Sequence, residues 1–255
     1  MSTSRPIGRA AVVVPCHNEA QRLSQDTFAE FIRRAENIRL VFVNDGSTDD
    51  TLRILQALQD RDPERISLCD LPANVGKGEA IRAGLQRAFE LDVEYCGYWD
   101  ADLATPLDVI LDFCQLLDAQ PATAMVFGTR VRLLGRKVER RALRHYLGRV
   151  SATVISMTLG LSVYDTQCGA KLFRVTPEVR SLFEAPFVSG WIFDVEIVAR
   201  LIHARRTGGL PPAETAIFEQ PLHAWRDVEG SKVGPRDYIR AALDLARIHR
   251  RYLRT

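Results

Sequence analysis

The chain has 255 residues, with 34 Lys plus Arg against 32 Asp plus Glu and a formal net charge of +2. So even a balance offers no global basic field for nucleic acid, and the length suits one α/β domain with a substantial core. Five separated cysteines (Cys16, Cys69, Cys96, Cys114 and Cys168) with no CxxC pair predict a reduced, cytoplasmic protein; the first six residues lack the apolar core of a signal peptide, and no run reaches the ~20 apolar residues of a spanning helix.

In chain order, Ala11-Val12-Val13-Val14-Pro15 reads as a buried strand, closed by Cys16-His17-Asn18-Glu19-Ala20 and a helix. Leu40-Val41-Phe42-Val43 is a second strand, ending in Asn44-Asp45-Gly46-Ser47, where glycine supplies turn geometry and polar residues cap the next helix. Ile66-Ser67-Leu68-Cys69 is a third, followed by Asn74-Val75-Gly76-Lys77-Gly78-Glu79 and another helix. Residues 95–99 form a fourth, and Asp100-Ala101-Asp102 follows at once. A fifth apolar strand, 124–127, runs into Gly128-Thr129-Arg130. The stretch from 130 to 149 then carries eight Lys or Arg against Glu139 alone. An amphipathic helix is expected over 140–159. Lys171-Leu172-Phe173 reads as a strand with Lys171 and Phe173 on opposite faces, and a helix opens at 191–196. Another strand spans 215–218, before a glycine-containing loop with Lys232, and a basic amphipathic helix covers 236–254.

Strands of about five residues alternating with amphipathic helices indicate right-handed βαβ crossovers and a mainly parallel sheet covered on both faces. Ligands of such sheets bind at the carboxyl ends of strands, where each polar cluster falls. Asp100 and Asp102 are the sharpest of these: two carboxylates at i and i+2 on a loop can share one hard divalent cation, which in turn can hold the two phosphates of a nucleotide-sugar. Oxygen-only ligands favour Mg²⁺ or Mn²⁺ over zinc. The Asn74-to-Gly78 turn is either an ordinary helix entry or an anion site where Lys77 meets phosphate or ribose; without the length and ending of a Walker loop it does not predict an NTPase. Arg130, at a strand end, has a fork suited to phosphate. The five histidines show no metal-ligand spacing.

Taken together, Pro15 to Glu19, Val43 to Ser47, Asn74 to Glu79 and Asp100-Ala101-Asp102 resemble the successive signatures of family 2 glycosyltransferases. Asp165-Thr166-Gln167-Cys168-Gly169-Ala170-Lys171-Leu172-Phe173, Trp191-Ile192-Phe193-Asp194-Val195-Glu196 and Glu229-Gly230-Ser231-Lys232 resemble the dolichyl-phosphate glucosyltransferase branch, with the dolichyl-phosphate mannose synthases as cousins. The match runs from about residue 10 to about 245. It implies a single GT-A (Rossmann-like) domain over 1–255, with a core of about 10–225 and a C-terminal loop and basic helix over about 226–255. The implied activity is inverting, metal-dependent transfer of a hexose, glucose from UDP-glucose by preference, to a polyprenyl-type phosphate.

The resemblance also assigns roles. Pro15, His17, Glu19, Asp45 and Gly46 hold the base and ribose; Lys77, Asp100, Ala101 and Asp102 face the donor's ribose, phosphates and metal, with Asp102 the more direct metal ligand; Gln167, Cys168 and Gly169 line the donor-sugar pocket. Arg130, and more weakly Arg144, neutralise the acceptor phosphate, while Lys232, with Arg226 secondary, closes over the diphosphate. Asp194 is a sugar ligand, or the base if the acceptor is instead a soluble hydroxyl. Two departures stand out: Asn44 where the family usually has Asp, and Ala104 where mannose-transferring relatives have a metal-ligating Gln. A sugar-nucleotide nucleotidylyltransferase is disfavoured because the glycine-rich basic loop after the first strand is missing; a silent nucleotide-binding module is the remaining alternative. Without an anchor, lipid contact would be peripheral, through the basic segments, or would rely on a membrane partner.

Overall fold

The computed structural model describes residues 7–131, 137–139, 142–226 and 235–254; for 137–139, 142–149 and 235–238 only the backbone course is described. Its strands are β1 (Ala10–Cys16), β2 (Ile38–Asp45), β3 (Ile66–Leu71), β4 (Tyr95–Trp99), β5 (Met125–Thr129), β6 (Lys137–Glu139), β7 (Ala170–Arg174), β8 (Ile217–Pro221) and β9 (Ala224–Arg226). The helices are α1 (Gln25–Arg34), α2 (Thr51–Arg61), α3 (Lys77–Ala88), α4 (Val109–Ala119), α5 (Ala142–Leu159), α6 (Pro177–Ser181), α7 (Phe193–Thr207) and α8 (Pro235–Ile248), the last continued by a π-helical turn, His249–Leu253.

Seven strands form one sheet in the order β3-β2-β1-β4-β7-β5-β8, parallel except for β7, which runs antiparallel to both neighbours. The mainly parallel sheet expected from the β-helix alternation is therefore present, with one reversed strand inside it. A second, two-stranded parallel sheet of β6 and β9 was not anticipated; three-residue strands carry too little periodicity to be read from sequence.

Strand alternation sorts the core into two layers. On β1, Ala10, Val12 and Val14 face a cluster with Phe28 and Phe31 of α1, Leu55 of α2 and Phe113 of α4. Ala11 and Val13 face the other side, with Ile81 and Leu85 of α3, Ile155 of α5 and Val195 of α7. Apolar residues on both faces explain why β1, β2 and β4 read as continuous hydrophobic runs. The same period corrects one expectation: Lys171 and Phe173, two apart on β7, share a face, and both meet the Tyr98 ring.

The C-terminal helix packs as well as faces outward. Ile248 and Asp244 are buried, Asp244 accepts from the Gly190 N–H at 3.3 Å, and the Tyr252 hydroxyl donates to Glu196 at 3.2 Å. Two carboxylates lie in the first turn of α7, Asp194 and Glu196, and Glu196 fastens the segment before the helix. Fully buried, it pairs with Arg200 at 2.7 Å and accepts from the Val188 and Ser189 N–H groups.

Candidate active site

A cavity of about 1430 Å³ opens at the carboxyl ends of the parallel strands. Its floor gathers the ends of β1, β2, β4 and β5 and the start of α3, bringing together Pro15, His17, Glu19, Asp45, Lys77, Asp100, Ala101, Asp102, Arg130, Gln167 and Gly169 from positions scattered along the sequence. Residues from Val150 to Thr158 of α5 and from Ala241 to His249 form its walls.

The β4 turn fixes the two carboxylates. Asp100 donates its N–H to Gly169 O at 3.0 Å, Leu103 returns to Asp100 O at 3.2 Å, and Asp102 Oδ1 accepts from Ala104 N at 3.0 Å. Closing this turn puts Leu103 at φ 54°, a region that costs a branched side chain on the order of 1 kcal/mol. Gly169 is a steric requirement of the site, since a Cβ there would lie 1.9 Å from Asp100 Oδ2. Ala104 supplies only backbone: its N–H to Asp102, and its carbonyl to the Arg226 N–H at 3.1 Å, which ties β9 to the carboxylate loop.

Lys77 Nζ stands 2.5 Å from Asp100 Oδ1. Apart from this ion contact, that oxygen is buried with no hydrogen-bond partner. Burial acts to lower the Lys77 pKa, but Asp100, with help from Asp194 and Asp102, outweighs it and the ammonium is held above its ordinary value. Its side chain is 48% accessible because it faces the cavity, not because it leaves the site. Asp102 is shifted up, first by burial and then by the Asp100 charge. Two crowded carboxylates, one oxygen without a hydrogen bond, and oxygen-only ligands fit a hard Mg²⁺ or Mn²⁺ ion. Among the described residues no group of three or more His, Cys, Asp or Glu gathers for a metal.

At the carboxyl end of β2, Asp45 accepts from the Val75 and Gly76 N–H groups at 2.7 and 3.1 Å, locking the turn that starts α3. Its carbonyl lies 2.8 Å from His17 Nδ1, which makes Nδ1 the protonated nitrogen, and Asn18 Nδ2 approaches Nε2 at 3.3 Å. Glu19 pairs with Arg22 at 2.5 Å. Gly46, at φ 58°, is needed because a Cβ would meet the Ala73–Asn74 backbone at 2.4 Å; its close approach is to that loop and not to the cavity. Asn44 has a structural part, donating to Asp70 at 2.7 Å and accepting from Ser47 N at 3.3 Å.

On the opposite side Arg130 is a clamped arginine. Its fork is bidentate with Asp165 at 2.6 and 2.7 Å, its guanidinium lies 5.3 Å from the Trp225 ring centre, and Asp165 outweighs burial to raise its pKa further. Glu219 of β8 holds the loop behind it, accepting from Tyr164 N and Asp165 N, each at 2.9 Å. Beside them Gln167 Nε2 is buried without a hydrogen-bond partner at the cavity wall.

Besides Gly46, the expected site residues Cys168 and Asp194 do not reach the wall. Cys168 is fully buried in the core, its thiol shifted up to about 11 by burial, so it does not line the sugar pocket as expected. Asp194 lies one layer down. Its Oδ1 accepts from Lys171 Nζ at 2.5 Å and from the Tyr98 hydroxyl, while Lys171 also donates to Cys168 O at 2.6 Å. Lys171, 1% exposed, thus joins the 168–169 loop to the start of α7 beneath Asp100. A lysine inside an apolar strand was the available sequence signal. Lys232 lies outside the described residues, as does the Arg144 side chain.

The rim has the opposite chemistry to the floor. Val150, Val154 and Met157 on α5 are 65%, 49% and 79% exposed, and Trp191 38%. All four line the cavity mouth.

Comparison with known proteins agrees with this geometry. The family model described as Glycosyl transferase family 2 matches residues 11–179. A dolichyl-phosphate beta-glucosyltransferase of Trichomonas vaginalis is 33% identical over 249 residues, covering 92% of this chain and 69% of its own. One from Saccharomyces cerevisiae is 30% identical over 268 residues, covering 95% and 75%. In fold, glucosyl-3-phosphoglycerate synthase from Mycobacterium tuberculosis, solved with Mn²⁺, UDP-glucose and phosphoglyceric acid, superposes with a TM-score of 0.64 at 18% identity, over 94% of this chain and 80% of that one. With the family model matching residues 11–179 and relatives 30% and 33% identical of which the chain covers 75% and 69%, the chain belongs to glycosyl transferase family 2 and is an enzyme of that class.

Proposed function

We propose that the enzyme transfers glucose from UDP-glucose to a polyprenyl-type phosphate, with inversion at the anomeric carbon. The observation that carries this reading is the opposition of floor and rim: paired carboxylates and Lys77 below, and an apolar mouth of Val150, Val154, Met157 and Trp191 above. The floor suits a nucleoside diphosphate, and the rim suits the hydrocarbon of an acceptor whose reacting end is charged. Relatives that are dolichyl-phosphate beta-glucosyltransferases support glucose as the sugar and a polyprenyl-type phosphate as the acceptor.

In this reading Asp100 and Asp102 would hold Mg²⁺ or Mn²⁺, which when bound supplies positive charge against the departing diphosphate. The chain does the rest. Lys77 and, by the same reading, Lys232 neutralise the diphosphate; Gln167 Nε2 donates to a sugar hydroxyl; the loop locked by Asp45 positions the nucleoside. A phosphate oxygen of the acceptor bonds to the anomeric carbon as that carbon's bond to the diphosphate oxygen breaks. The acceptor is already ionised near neutral pH, so no proton need be removed, and alignment and charge screening carry the rate. Arg130, its fork committed to Asp165, would reach the acceptor phosphate only through N–H groups outside that pair. A hydroxyl acceptor would need a base at the wall, whereas Asp194 sits behind it, bonded to Lys171 and Tyr98. At the membrane the enzyme would act peripherally, on the cytoplasmic face.

The direct test is conversion of UDP-glucose and polyprenyl phosphate to glucosyl phosphoprenol in Mn²⁺, with Asp102→Ala as control. The expected loss in the variant is about a thousandfold or more with the fold intact. Activity within tenfold of the parent in saturating metal, or transfer only to soluble hydroxyl acceptors, would overturn the assignment.

A further inference from the structure

Lys77 occupies an unusual place for a phosphate-binding lysine. Its ammonium contacts Asp100 Oδ1, the one oxygen of the carboxylate pair that is buried without a hydrogen bond and faces the cavity a cation would enter. Asp100 has little freedom to turn away from it. Its N–H is bonded to Gly169 O, and its carboxylate packs on Gly169, with Oδ2 1.9 Å from where a Cβ would be. Lys77 itself opens α3, whose preceding turn is locked by two bonds from Val75 and Gly76 to Asp45. Backbone anchors on both sides thus leave the side chain of Lys77 as the part that can move.

We infer that Lys77 is a placeholder cation, seated on Asp100 until donor diphosphate draws it away, so that the site takes its divalent metal well only together with the donor. This rests on the nucleotide-sugar reading above and adds an order and a coupling to it. The charge count supports it. Two carboxylates and the ammonium sum to −1; a divalent ion added alone brings the site to +1 beside the lysine it must displace, in a partly desolvated pocket where like charges repel strongly. A donor carrying two negative charges returns the sum to −1 and gives Lys77 a new partner. Metal and donor are then positively coupled through one side chain, and by linkage each raises the affinity of the other by the same factor.

The inference makes effects of opposite sign from one substitution. In Lys77→Gln, calorimetric titration of Mn²⁺ alone is expected to show tighter binding than in the parent, by about tenfold or more, because no ammonium must leave. UDP-glucose in saturating Mn²⁺ is expected to bind more weakly by a similar factor, and the coupling between the two ligands to shrink. Lys77→Arg, which keeps the charge, is expected to track the parent in the metal-only titration, and circular dichroism checks the fold of both. Mn²⁺ affinity unchanged or weakened in Lys77→Gln overturns the placeholder role while leaving the donor assignment standing. A parent that binds no UDP-sugar with metal overturns the donor assignment instead, and the metal-only arm still reads Lys77 by itself.

Discussion

At the residue scale the site depends on charges held one layer behind the wall. Lys171 is 1% exposed and paired with Asp194, so Asp194→Asn would strand a buried ammonium. The expected outcome is a stability loss of about 3–5 kcal/mol by denaturant unfolding, with Lys171→Met recovering much of it in the double variant. Catalysis should fall modestly and equally at all pH values, because a phosphate acceptor needs no base. A loss of roughly 10² to 10⁴-fold confined to the chemical step would mark Asp194 as a base and shift the reading to a hydroxyl acceptor. Much of the floor was legible in sequence because strand ends with polar, glycine-containing turns announce themselves: Asp45, Lys77, Asp100 and Asp102 all reach one cavity. The Cys168 thiol and Asp194 were placed at the wall because neighbours in a motif share a loop. Which of them faces the ligand depends on the reversed strand β7 and on Lys171, and neither contact leaves a trace in spacing.

At the scale of elements, the edge strand β8 is tied to the cavity wall through Glu219, which accepts from the Tyr164 and Asp165 N–H groups of the lining loop. Burial shifts this carboxyl up from the ordinary carboxylate range, only partly offset by the Tyr164 and Asp165 N–H groups. A raised acid pKa in the folded state means the native form holds the proton more tightly than the unfolded one, so Glu219 contributes less stability as pH rises through the shifted value. Glu219→Gln should therefore flatten stability against pH across the range just above ordinary carboxylate titration. It should also cost about 1–3 kcal/mol, since an amide NH₂ then faces a backbone N–H. Unfolding of parent and variant across that range checks both; parallel curves would remove Glu219 as the titrating group. Such cross-element links were not legible in sequence. The βαβ alternation announces which strands exist, but β7 between β4 and β5, and the small β6–β9 sheet, follow from long-range pairing.

At the scale of the molecule, no helix among the described residues is long and apolar enough to cross a membrane. The cavity nevertheless opens between exposed apolar strips. Val150, Val154 and Met157 lie on α5; on α8, Ile239 and Leu243 are 65% and 55% exposed, with Arg240, Arg247, Arg250 and Arg251 exposed nearby. Co-sedimentation is expected with anionic vesicles and less with neutral ones. Salt should weaken it, each well-placed cation being worth about 1 kcal/mol, and leave a residue from the apolar strips. Equal, negligible binding in all four combinations of lipid and salt would remove direct membrane docking and favour a partner protein.

The latch between the chain's end and α7 has a practical corollary. Parallel strands carry their carboxyl ends to the cavity, so Ala10, where β1 begins, lies at the opposite edge of the sheet, whereas the last described turn, ending at Leu253, is bonded through Tyr252 to Glu196 and continues the helix that walls the cavity. A purification handle or reporter joined after this turn therefore sits beside the cavity wall and pulls on its fastening to α7, whereas the start of β1 is at the far edge of the sheet. Immobilisation for surface measurements should follow the same rule, tethering the enzyme from that far edge so that the mouth faces the solution.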